Sequence, residues 1–70
     1  MNITLKQIQI RLAEALRNSK LTQKELASQL GICQSNISHY ISGDKMPAID
    51  TLANICKILK VDTNYILCQD

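Results

Sequence analysis

The chain has 70 residues, 46% of them apolar, and a formal net charge of +2. A chain of that length holds one core and excludes a second, so residues 1–70 are expected to form a single domain that depends on tight packing. There is no Phe or Trp, and only two Gly and one Pro; the core must come from Leu, Ile, Ala and a little Val, no segment sustains a period-two alternation, and the fold class is all-α.

Met1 to Ile3 read as a loose lead-in. Thr4 and Gln7 are spaced as a capping box, in which each side chain satisfies the other residue's backbone N–H and a helix starts. Leu5, Ile8, Leu12, Ala15 and Leu16 then share one helical stripe, with Lys6, Arg11, Glu14 and Arg17 outside it. Ile10 lies opposite the stripe and is read as a single exposed apolar residue without a role. Asn18, Ser19 and Lys20 connect to a second helix, which a second capping box, Thr22 with Glu25, should open. Leu21 and Leu26 are placed as a hydrophobic staple across that start, and Leu26, Ala27 and Leu30 form its buried face. Gly31 can take the left-handed conformation that stops a helix sharply, with Ile32 folding back on Leu26 and Ala27.

A third helix starts at Gln34 after a short turn. Ile37, Tyr40 and Ile41 form its buried side, and Ser35, Ser38, His39 and Ser42 its polar side. A polar face of small or neutral hydrogen-bonding groups without a carboxylate suits the donors and acceptors of the DNA major groove. An amphipathic hairpin that merely met water would more usually carry Lys and Glu there. The two short helices and their turn read as a helix-turn-helix. Asp44 to Pro47 form a loop, since Pro47 pushes Met46 out of the helical region. A fourth helix from about Ile49 sends Ile49, Leu52, Ile55, Cys56 and Leu59 inward and ends near Lys60. Asp62 caps a short fifth helix running through Cys68.

The run LTQKELASQLGICQSNISHYISGDKMPAIDTLANICKILKV resembles the DNA-binding domain of the lambda-repressor-like family, the Cro/CI or Xre type. The T-Q-x-E-L-A opening, Gly31, Ile37, Gly43 and the P-x-x-x-T-L run fall at that family's spacing, and the resemblance extends from about Ile8 to Leu67. It implies a compact five-helix domain, with the helix-turn-helix as helices 2 and 3, and repressor-like binding to double-stranded DNA. Two positions depart from the pattern. Cys33 replaces the usual Ser or Thr cap of the third helix, a loss of roughly 1 kcal/mol. Asp44 stands where the loop usually opens with a basic residue.

If the N-terminal end of the third helix enters the groove, Gln34 and Ser35 in its first turn and His39 one turn later become the base readers, with Ser38 and Ser42 as second choices. Gln34 can pair with adenine in bidentate fashion, and Ser35 and neutral His39 can each donate or accept. Gln23 resembles the family's phosphate-contacting glutamine; Asn36 and Lys45 are further phosphate contacts. The surplus of apolar groups at Tyr65, Ile66, Leu67 and Cys68 is expected to form a twofold dimer interface, so that two copies read a palindromic operator.

Other chemistries are excluded. His39 is the only histidine and does not cluster with Cys33, so no metal site is expected. A chain this small does not enclose a nucleophile and its base, so no enzyme, and equally no cofactor or small-molecule ligand, is expected. There is no apolar run of roughly 20 residues to span a bilayer. An odd cysteine count without a signal-like start predicts a cytosolic protein with reduced thiols, and the family resemblance implies one that is bacterial or phage-encoded. The expected function is sequence-specific regulation of transcription by a repressor. The rival is a protein-interaction module, antitoxin-like or an antirepressor partner, with weak or lost DNA binding, suggested by Asp44 and the low net charge.

Overall fold

A computed structural model describes residues 2–70; the lead-in expected from Met1 therefore falls partly outside the described residues. Five helices follow one another: α1 (Leu5–Arg17), α2 (Gln23–Leu30), α3 (Gln34–Ser42), α4 (Ile49–Leu59) and α5 (Thr63–Ile66). No strand occurs among the described residues, and the domain measures 37 × 23 × 21 Å.

The starts of α1, α2 and α5 are held by side-chain caps. Both expected capping boxes are formed: the Gln7 N–H donates to Thr4 Oγ1 at 3.2 Å and the Glu25 N–H to Thr22 Oγ1 at 3.1 Å, with the return bonds from the Thr4 and Thr22 N–H groups in place. The Asp62 carboxylate accepts from the Asn64 N–H at 2.9 Å and opens α5. The stops of α2, α3 and α4 rest on left-handed residues. Gly31, at φ +69°, ends α2 and lets the Ile32 N–H reach back to the Ala27 carbonyl at 3.0 Å. Gly43, at φ +90°, ends α3.

The core gathers Leu12 and Leu16 from α1, Leu26 and Ala27 from α2, Ile37 and Tyr40 from α3, Leu52, Ile55 and Cys56 from α4, and Ile66 from α5. Each large apolar side chain so buried contributes roughly 1.5–3 kcal/mol against leaving it in water. The third helix packs chiefly on α1 and α2, α4 packs on α2, and α5 on α1. Every helix therefore helps to hold α3 or the helix beneath it.

Four expectations are corrected. Periodicity places Leu5 and Ile49 on inward stripes, but they are 69% and 87% exposed. Each is the first residue of its helix, with no preceding turn to cover it. Ile66, expected at a surface between protomers, is wholly buried in its own protomer's core. The α5 helix stops at Ile66 rather than continuing through Cys68. Cys68 takes φ +61°, and the Gln69 N–H turns back to the Asn64 carbonyl at 2.7 Å.

Two long-range ties brace the ends of α3 and α5. The Gln9 side-chain amide donates to the Tyr40 carbonyl at 3.3 Å, near the open end of α3. Arg11 donates to the Tyr65 carbonyl at 2.7 Å, pairs with Asp70 at 2.9 Å and lies over the Tyr65 ring, 4.6 Å from its centroid. The hydrogen bond to Asp70 raises the Arg11 pKa and lowers that of Asp70, so both partners are held in their charged forms.

Candidate nucleic-acid interface

Burial of Ile37 and Tyr40 fixes which side of α3 faces out. Gln34, Ser35, Ser38 and Ser42 are exposed, while Asn36 and His39 are half-buried. This surface carries no carboxylate on α3 itself, and within the described residues no intramolecular hydrogen bond engages the side chains of Gln34, Ser35 or Asn36. Donors and acceptors without internal partners are what base-edge recognition requires.

The first turn of α3 is also short of an acceptor. Cys33 has the extended backbone of an N-cap but makes no side-chain capping bond, and the Asn36 N–H instead meets the Cys33 carbonyl at 3.0 Å. A helix start whose N–H groups lack a side-chain acceptor is hospitable to an anionic oxygen such as a phosphate.

Two of the sequence-derived candidates are joined across the motif. Ser38 Oγ donates to Gln23 Oε1 at 2.8 Å, linking the middle of α3 to the first residue of α2. With its carbonyl oxygen occupied, Gln23 keeps its amide N–H donors for an outside acceptor. Ser38 thereby braces the two helices against each other. His39, Ser42, Asp44 and Lys45 form a second group at the far end of α3. The His39 carbonyl accepts from the Gly43 N–H at 3.0 Å, the Lys45 N–H at 3.3 Å and Ser42 Oγ at 3.1 Å. The His39 ring sits 3.4 Å from the Asp44 carboxylate through Nδ1. Lys45 projects from this loop and is exposed.

Sequence reading missed two residues here. Gln9 anchors the last turn of α3, and a Cβ at Gly43 would stand only 3.2 Å from its side chain. Lys6 shares a shallow groove with Gln9, Ser42, Gly43 and Met46, which brings a cation beside the C-terminal end of α3. Neither has a local signal, because the pairing spans more than thirty residues. For the C-terminal candidates, Tyr65 remains 40% exposed and Leu67 and Cys68 are half-buried, so Ile66 alone is lost to the core. Tyr65 and Cys68 share a cleft with Ile3 and Ile10, which are also exposed.

No metal-binding cluster occurs among the described residues, and none of their helices is long and apolar enough to cross a membrane. Comparison with known proteins agrees with the geometry. Residues 10–69 match a helix-turn-helix domain. The chain is 38% identical over 60 residues to the HTH-type transcriptional regulator ImmR of Bacillus subtilis, covering 86% of this chain and 47% of ImmR. It is 38% identical over 56 residues to the uncharacterized HTH-type transcriptional regulator YqaE of the same organism, covering 80% of this chain and 48% of YqaE. A third relative there, the uncharacterized HTH-type transcriptional regulator YobD, is 33% identical over 57 residues, covering 81% of this chain and 51% of YobD. The chain thus spans about half the length of the curated relatives it matches. With the capped α2, the left-handed Gly31 turn and the outward polar face of α3 in place, the chain belongs to the helix-turn-helix domain family of the Xre or Cro/CI type, a non-enzymatic family.

Proposed function

We propose that the chain is a sequence-specific regulator of transcription that binds double-stranded DNA through α3. The supporting observation is the outward face of that helix: Gln34 and Ser35 project unpartnered from its first turn, and Ser38 ties it to Gln23 at the start of α2. Gln34 and Ser35 read base edges in the major groove, His39 reads one turn on, and Ser38 contributes from the edge of the face. Gln23, Asn36 and Lys45 hold phosphates. The relatives named as transcriptional regulators support the same reading. Occlusion of a promoter makes it a repressor, in the cytoplasm of a bacterium.

One α3 reads few base pairs, so two copies bind a palindromic operator with half-sites roughly 34 Å apart. With Ile66 withdrawn into the core, the contact between copies falls to Tyr65, Leu67 and Cys68, beside Ile3 and Ile10. Sedimentation on a selected duplex tests this: two chains per site are expected, and one chain on a non-palindromic sequence overturns it.

Binding to random duplex DNA across a salt series tests the main reading. Affinity that falls steeply with salt is expected, because each phosphate contacted releases counterions. A flat response favours the rival reading, a protein-interaction module, whose support is the acidic Asp44 in the loop after α3.

A further inference from the structure

The loop after α3 is wound around a single carbonyl. Gly43 turns the chain at φ +90°, and the Gly43 N–H, the Lys45 N–H and Ser42 Oγ all donate to the His39 carbonyl. The Asp44 N–H adds a 3.4 Å contact to Ser42 Oγ. This winding places one Asp44 carboxylate oxygen 3.4 Å from His39 Nδ1.

An ionised carboxylate can only accept. A neutral imidazole beside it therefore carries its proton on Nδ1, and the other ring nitrogen, Nε2, keeps a free lone pair. We propose that Asp44 sets the hydrogen-bonding sense of His39, making Nε2 an acceptor that reads a base bearing a major-groove amino group, adenine or cytosine, and rejects guanine and thymine. The assignment rests on α3 being the groove helix. It follows from the groove code: adenine N6 and cytosine N4 donate, whereas guanine O6 and N7 and thymine O4 accept. Asp44 then has a positive task at a position next to the DNA, where a carboxylate would otherwise only repel phosphate. It acts through His39 as a positioning residue.

Two measurements test the proposal. The first is the side-chain nitrogen NMR spectrum of His39 in the free chain at about pH 8, above the range in which imidazoles ordinarily titrate. Proton-bearing Nδ1 and lone-pair Nε2 are expected in the wild type, with the preference relaxed in Asp44→Ala. The opposite tautomer, or a wild-type spectrum unchanged in Asp44→Ala, overturns the assignment. The second is selection of bound duplexes from a random pool. The wild type should favour adenine or cytosine over guanine and thymine by about five- to tenfold at one position. His39→Ala should lose the preference at that position alone, and Asp44→Ala should keep binding while admitting all four bases there. Guanine or thymine in the wild type, or an Asp44→Ala preference identical to the wild type, refutes it. Selection of no sequence at all would remove the groove reading itself. The NMR measurement needs no DNA, so the two failures are distinguishable.

Discussion

Replacing Cys33 by Ser should stabilise the domain. Cys33 and Thr22 stand at equivalent points, the first at φ −73° and ψ 143° and the second at φ −72° and ψ 161°. Thr22 caps its helix through Oγ1 and Cys33 makes no capping bond. Cys33 is exposed, so the exchange of sulfur for oxygen forfeits little burial. A full N-cap is worth about 0.5–2 kcal/mol. Two features of α3 hold the gain to the lower part of that range. The Asn36 N–H already has the Cys33 carbonyl at 3.0 Å, and Asn36 stands where the return partner of a capping box would be Glu or Gln. A gain of about 0.5–1 kcal/mol raises the melting temperature of a domain this size by roughly 2–8 °C. Thermal unfolding followed by circular dichroism in reducing buffer is the assay, with Thr22→Ala as the opposite control, which should lose about 1 kcal/mol. If Thr22→Ala melts lower as expected but Cys33→Ser melts no higher than the wild type, the unfilled cap is not a weakness and the account of the α3 start is wrong.

Gly31→Val should cost more than about 1 kcal/mol through backbone strain alone, since φ is +69° and no atom lies within 4 Å of an added Cβ; an unchanged unfolding midpoint would show that the turn is built otherwise. Ile37→Ala, at a fully buried site, should lose about 2–5 kcal/mol and lower thermal stability more than Ile49→Ala, whose side chain is in water. Glu25 titrates below its ordinary value of 4.5, held down chiefly by the Thr22 backbone N–H and then by the Thr22 hydroxyl. A depressed carboxyl pKa adds stability that is present above the unfolded value and lost as pH falls through the folded one. Stability measured by denaturant titration should therefore decline below about pH 4.5, and Glu25→Ala should decline less over that window.

The parts of this fold written locally were legible in the sequence. The Thr4–Gln7 and Thr22–Glu25 boxes, the Gly31 stop and the Asp62 cap each involve residues within one turn, and all are formed. Periodicity also found Leu12, Leu16, Leu26, Ile37, Leu52 and Ile55, because their stripes have a neighbouring helix along most of their length. It failed at Leu5 and Ile49, where periodicity continues to the first residue of the helix but burial does not. Left-handed Lys60 and Cys68 carried no warning, since neither is Gly or Asn. At the candidate interface, the outward residues of α3 could be named from helical spacing. The Ser38–Gln23 brace and the Gln9 anchor depend on where separate segments meet, and the His39–Asp44 contact on how the loop after α3 winds. Ile66 is the instructive reversal: an apolar surplus near the C-terminus looked like surface, and docking of α5 on α1 made it core.

The most direct test of α3 as the reading helix is base-by-base preference, measured by selection from a random duplex pool, for wild type, Gln34→Ala and Lys45→Ala. Gln34→Ala should change the preference at one base pair, at a cost of about 1–3 kcal/mol there. Lys45→Ala should keep every preference, weaken all sequences together and reduce the salt slope by about one unit. A wild type that enriches one sequence and a Gln34→Ala variant that enriches the same one, at every position and to the same degree, would contradict the placement of α3 in the groove.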